Sequence, residues 1–211
     1  MIATFDPGCT LCPRLATFLA ELRTRHPTYC NAPVPSFGDP DARLLIVGLA
    51  PGLHGANASG RPFTGDFAGI LLYQTLFDLG LATAPVSTSA DDDLRLIGCR
   101  ITNAVKCLPP QNKPTTAEVK TCNRFLVNEL RELPERSVIL ALGGIAHRAI
   151  MRALDYKQSQ FAFGHALTHD LRGGLQLVDS YHCSRYNTQT RRLTPGMFRE
   201  AVGRAKNLVS D

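Results

Sequence analysis

The sequence predicts an α/β protein, a three-layer α/β/α sandwich around a central, mainly parallel, four-stranded sheet. Two observations carry this. Four apolar runs, over residues 44–47, 96–105, 138–142 and 175–180, read as strands buried on both faces. Each is followed by a helical pattern, over 67–79, 115–133, 145–154 and 194–208, and strands that alternate with helices build parallel crossover units. In chain order, a helix over 13–25 leads into a proline-rich connector over 27–40 and then the first strand. Thr115 with Glu118 three residues on forms a capping box. Thr194 before Pro195 caps the last helix with proline at its first position. There Phe198, Ala201, Val202, Ala205 and Leu208 recur at helical spacing and face the sheet, leaving Arg199 and Arg204 outward.

With 211 residues the chain suits one domain over 1–211, whose segment 1–40 carries two of the cysteines considered below. A hydrophobic share of 44%, a charged share of 19% and a mean hydropathy of -0.05 exclude a wholly disordered chain. No apolar run approaches the ~18 residues of a membrane span. Residues 1–12 show neither the basic flank nor the apolar stretch of a secretory signal, so a cytosolic address is expected. The net charge of +5 is concentrated between His182 and Lys206, where Arg185, Arg191, Arg192, Arg199, Arg204 and Lys206 face only Glu200. That suits an anionic partner, and the planar arginine fork suits phosphate, although a GC-rich genome produces the same arginine bias. The acidic run 91–93 reads as a solvated loop.

Seven cysteines in a reducing compartment direct attention to metal. Cys9 and Cys12 form a C-x2-C pair, and Cys107 and Cys122 have fourteen residues between them, the first beside Pro109-Pro110. Brought together, four thiolates fit either zinc or a [4Fe-4S] cluster. The alternative is that Cys122 is a buried helix cysteine beside Val119, Phe125 and Leu126 and that the pair is incidental. Cys30, Cys99 and Cys183 lack partners at metal-binding spacing.

Ligands of open α/β sheets bind at the carboxyl ends of the strands, so the loops there carry the candidate chemistry. The first, 48–57, has glycines at 48, 52 and 55 but neither G-K-[ST] nor G-x-G-x-x-G, which argues against nucleotide phosphates. Beyond it, Gly60-Arg61-Pro62-Phe63-Thr64-Gly65-Asp66 brings a guanidinium, an aromatic face and a carboxylate together before a helix, where Asp66 also suits an N-cap. Residues 102–107 add the Asn103 amide. Residues 181–187 leave the last strand and offer His182, Ser184, Arg185, Tyr186 and Asn187, some of which equally suit turns.

Together these stretches resemble the uracil-DNA glycosylase superfamily, and within it the iron-sulfur branch called family 5, or type B. The resemblance runs from Cys9 to Thr194. Family 4 carries glutamate directly after the glycine of the first motif; Leu49 stands there here, and Asp66 is the available carboxylate. Family 5 commonly reads H-G-x-N-R-T-G-R-P-F-T-G-D, and this chain departs from it with Ala58 and Ser59; it also has Arg191 where glycine is common. The resemblance implies a monofunctional hydrolase that releases uracil, and other deaminated bases such as hypoxanthine, from DNA as a monomer. Asp66 would stabilise the oxocarbenium-like sugar and orient or deprotonate water, and neutral His182 would donate to the departing base. Phe63 would stack on the everted base, and Asn103 would meet its edge or place water. Gly48, Ala50, Gly52, His54 and Asn57 would line the base site. Ser184, Arg185 and Asn187 would grip phosphates, with Tyr186 as a wedge. Cys9, Cys12, Cys107 and Cys122 would hold a structural [4Fe-4S] cluster. The motifs are read as free of lysine, which disfavours Schiff-base chemistry and predicts a monofunctional enzyme. The competing reading is a non-catalytic nucleic-acid-binding protein holding zinc or an iron-sulfur cluster.

Overall fold

Leu44 to Val47 and Val138 to Leu142 offer no polar face, so each must be covered from two sides, and the computed structural model places both at the centre of a sheet. It describes residues 5–210; Met1 to Thr4 and Asp211, part of the domain expected over 1–211, lie outside the described residues. In chain order the elements are α1 (Pro13–Arg25), β1 (Phe37–Gly38), β2 (Leu44–Gly48), α2 (Ala56–Ser59), α3 (Phe67–Asp78), β3 (Cys99–Asn103), α4 (Thr116–Arg131), β4 (Val138–Leu142), α5 (Gly144–Ala153), β5 (Thr168–Asp170), β6 (Gln176–Ser180), α6 (Arg185–Gln189) and α7 (Pro195–Ser210).

The expected four strands are parallel neighbours in the order β3-β2-β4-β6. Two short antiparallel strands that the sequence reading did not contain, β1 against β3 and β5 against β6, complete a six-stranded sheet. At two and three residues they are too short for a periodic signal. The second strand is also shorter than the apolar run 96–105: Leu96 makes an isolated bridge to Ala82, and pairing with β2 starts at Cys99.

Side chains alternate across the sheet. Leu44, Ile46, Ile101, Leu140 and Val178 pack against α3 and α7, while Leu45, Val47, Ile139, Ala141 and Leu177 pack against α4 and α5. Phe198, Ala201, Val202 and Ala205 are fully buried, as the spacing in the last helix requires, whereas Arg199 and Arg204 lie outside, paired with Asp78 and Glu200. A third core joins Leu15, Leu19 and Leu22 of α1 to Cys107, Leu108, Cys122 and Phe125, which fastens the N-terminal segment to α4. No helix among the described residues is long and apolar enough to cross a membrane.

The capping box predicted for α4 forms: Thr115 Oγ1 accepts from Glu118 N at 3.2 Å and Thr115 N donates to Glu118 Oε2 at 2.7 Å. Glu118 also receives both arms of Arg14 at 2.7 Å, tying α1 to the start of α4 and, ahead of the opposing effect of burial, lowering its carboxyl. Thr115→Ala is expected to cost about 1 kcal/mol, read as a lower urea midpoint with an unchanged slope.

Candidate active site

Parallel pairing sends the ends of β2, β3, β4 and β6 to one edge of the sheet, and a cavity of about 470 Å³ opens there. Gly52 and Gly55, in the loop after β2, form a cradle for a carboxylate, because a Cβ at either would overlap the Asp66 carboxyl group. Asp66 occupies the N-cap position of α3 with extended backbone, but its side chain makes no capping bond. It turns instead to the backbone amides of Ala56, at 3.2 Å, and Gly52. Burial pushes its carboxyl above the ordinary range, and those two amides only partly oppose the shift.

Phe63 reaches the cavity from a left-handed backbone (φ +58°), a strained conformation for an aromatic residue. The strain is held from both sides. Tyr73 Oη donates to Pro62 O at 2.7 Å, and Arg61 is clamped by Asp92, Ala90 O and Ser87 while lying over the Phe37 ring. Arg61 is therefore a buried brace and does not face the cavity. The acidic run, read from sequence as a solvated loop, supplies the brace's counter-charge. Burial alone would raise Asp92, yet Arg61 and the amides of Thr88, Ser89 and Leu94 hold it at about 2.

Opposite, His182 leaves β6 with Nδ1 buried and unpartnered, and desolvation pushes its imidazole down to about 4. Its Cβ sits 3.3 Å from where a side chain at Gly143 (φ +95°) would begin, so this close approach of two strand ends needs glycine. The Phe63 and His182 rings face one another at 6.1 Å and 26°. Asn103, at the end of β3, carries a buried Oδ1 without a partner. Ala50, Gly52, Phe63, Asp66, Asn103, His182, Ser184, Arg185 and Asn187 line the one cavity. Ser184 and Asn187 also make the turn: Ser184 Oγ caps α6, accepting from Asn187 N at 3.4 Å, and Asn187 Nδ2 donates to His182 O at 2.8 Å. Arg185 is exposed and lies over the Phe67 ring.

Four expected site residues stand elsewhere. Gly48 lies beneath the cavity, where a side chain would collide with Phe63 and Asn103. His54 is exposed and points to Tyr29, whose hydroxyl is 2.9 Å from its Nδ1. Asn57 is fully buried and donates to Asn31 Oδ1 at 2.9 Å, so its amide is engaged away from any base. Tyr186 is 71% exposed on α6, outside the cavity wall. Lys106, which does fall in the 102–107 motif, is buried and bonded to Thr102 and Glu129, the latter at 2.9 Å.

Sequence reasoning missed the wall built by Gly143, Gly144 and Phe163. The glycine pair follows a strand as Gly48 does and was legible on that ground. Phe163 carries no local signal; its loop is tied down from below. Asp179, fully buried, pairs with His147 at 2.8 Å and His169 at 3.2 Å and accepts from Gly164 N, while His147 Nε2 meets Phe161 O at 3.1 Å. Among the described residues these three side chains are the set whose ligand atoms lie within 4.8 Å of one another. Their bonds to one another and to the loop backbone satisfy them.

Cys9, Cys12, Cys107 and Cys122 converge on a small apolar pocket walled by Leu11, Leu15, Pro33 and Phe125. Burial first, and neighbouring cysteines after it, push Cys107 up to about 12; burial likewise pushes Cys122 to about 11 and raises Cys12. Lys106 N donates to Cys122 Sγ at 3.3 Å. Thiols massed in an apolar pocket with a backbone donor aimed at one sulfur suit a cationic centre that makes them thiolates. Cys30 is exposed, Cys99 donates to Leu81 O, and Cys183 is buried beside the cavity loop, so none joins the four.

Residues 35–206 match the family model described as the uracil DNA glycosylase superfamily. A type-5 uracil-DNA glycosylase of Thermus thermophilus is 48% identical over 96% of this chain and 94% of its own length. A type-5 uracil-DNA glycosylase of Pyrobaculum aerophilum is 40% identical over 94% of this chain and 88% of its own. A type-4 uracil-DNA glycosylase of the same organism is 36% identical over only 60% of this chain. Matched over most of its length by a superfamily model and by type-5 relatives, and bearing a carboxylate and an imidazole on facing strand-end loops, the chain belongs to the uracil DNA glycosylase superfamily.

Proposed function

We propose that this protein is a monofunctional DNA glycosylase that hydrolyses the N-glycosidic bond of uracil and other deaminated bases in DNA. The observation that carries the reading is that Asp66 and His182, 116 positions apart in sequence, line a single cavity with Phe63 and Asn103. A nucleotide must leave the duplex to reach them, at a cost of a few kcal/mol, and stacking on Phe63 returns about 1–3 kcal/mol. The Asn103 side chain, which lines the cavity, meets the base edge.

As the bond breaks, positive charge grows on the sugar and negative charge on the base. The Asp66 carboxylate, fixed by two amides, stabilises the sugar and orients water. His182, neutral because it is desolvated, donates to the base without charging first. Lys106 is unavailable for attack on the sugar because it is buried in its pair with Glu129, which supports hydrolysis without strand cleavage. Arg185 and Arg192 at the mouth supply phosphate contacts. One chain completes the cavity, in keeping with action as a monomer.

Cys9, Cys12, Cys107 and Cys122 would hold a [4Fe-4S] cluster. Bound there, it would tie together the N-terminal segment, the loop after β3 and α4.

Asp66→Asn is expected to slow release of uracil from a U·G duplex by about 10²–10⁴-fold while duplex binding persists; full activity in a single-turnover assay overturns the mechanism. Cys107→Ser is expected to abolish bound iron and brown colour, measured by iron and sulfide analysis. The His182 imidazole titrates near 4 folded and near 6.5 unfolded, so the unfolded chain takes up the proton first and stability falls as pH drops through that window. His182→Phe is expected to flatten that part of the stability profile in denaturant titrations at successive pH values.

A further inference from the structure

The two amides that hold the Asp66 carboxylate belong to Ala56 and Gly52, and both are fastened to Asn57. Ala56 precedes it in the chain, and Asn57 N donates to Gly52 O at 3.0 Å. Asn57 in turn is fastened to the N-terminal segment. Its Nδ2 donates to Asn31 Oδ1 at 2.9 Å, Asn31 N donates to Asn57 O at 3.1 Å, and Cys30 N donates to Ala58 O at 3.0 Å. Asn31 stands in the left-handed region (φ +46°) and uses Nδ2 on His26 O at 2.8 Å and Tyr29 O at 3.2 Å, closing the turn after α1. Both asparagines are fully buried. Asn57 Oδ1 is buried without a partner, so the side chain is held at this joint by its Nδ2 alone.

From this chain of contacts we infer that Asn31 and Asn57 are positioning residues for the catalytic carboxylate. The inference rests on the glycosylase reading above, in which Asp66 acts on the sugar and the water. Through this joint the N-terminal segment, anchored by Leu15, Leu19 and Leu22, sets where the cradle amides point. A second, exposed tie runs in parallel from Tyr29 Oη to His54 Nδ1 at 2.9 Å. Neither asparagine lines the cavity, so loosening the joint misplaces the carboxylate without removing a contact to the bound nucleotide. Such a change acts on the transition state and not on ground-state binding.

The test uses the full chain with a U·G duplex, and Asn31→Gly and Asn57→Ala. Glycine keeps the left-handed backbone at 31 and removes only the side chain. Variants that retain the wild-type melting temperature are expected to lose about ten- to a hundredfold in kcat with KM unchanged. Tyr29→Phe, which deletes only a surface bond, is expected to show a smaller loss of the same kind and decides the matter if the buried variants fail to fold. Wild-type kcat in folded variants overturns the inference, as does a loss confined to KM, which would make Asn57 a substrate contact. Asp66→Asn measured beside them separates the two levels: an inactive Asp66→Asn with unaffected asparagine variants sinks the positioning role alone, whereas an active one sinks the reading beneath it.

Discussion

A carboxylate withdrawn from water, yet held by backbone amides so that it stays useful, is the constraint around which this molecule is arranged. Asp66 meets it through a loop with no side chains at 52 and 55, where any Cβ would displace the carboxyl group. A glycine-rich turn after a strand commonly receives a phosphate that arrives from outside. Here the anion is the protein's own, carried in by the first residue before α3. Because the amides are main chain, the cradle is only as stiff as the segments behind it. That explains the concentration of buried polar contacts there, with Asn31 and Asn57 on one side and Arg61 with Asp92 on the other.

The sheet supplies the second requirement, which is convergence. Four parallel strands deliver their carboxyl ends to one edge, so Asn103, Gly143, Asp66 and His182 meet there although they are far apart in sequence. The two histidine environments in this fold contrast sharply. His182 has only desolvation acting on it, which keeps the imidazole neutral, and its ring lines the cavity. His147 and His169 are engaged with Asp179, and their task is to hold the loop that brings Phe163 into the wall.

The N-terminal segment joins these parts. α1 packs on α4 through apolar contacts and the Arg14–Glu118 pair, and its flanking cysteines meet Cys107 and Cys122 just beyond the strand that carries Asn103. A centre held by the four cysteines, as proposed above, would tie that place both to the strand carrying Asn103 and, through the turn after α1, to the loop that cradles Asp66. None of the four cysteines lines the cavity itself.

What the sequence determined unaided is what repeats or follows locally along the chain. Apolar runs free of a polar face require buried strands, Thr115 with Glu118 starts α4, glycines after the first strand mark the stretch that leads to Asp66, and a polar run after the last strand marks the loop that bears His182. The direction in which a loop side chain turns is not encoded at that range. Arg61 is oriented by Asp92 thirty-one positions away, Asn57 by Asn31 twenty-six away, and Lys106 by Glu129 twenty-three away. Motif spacing brought out Arg61, and the family resemblance Asn57, but neither could separate a brace from a substrate contact, and nothing local pointed to Phe163. Only the tertiary structure decided these, because a buried polar group goes wherever its partner lies, and the partners arrive from other layers of the fold.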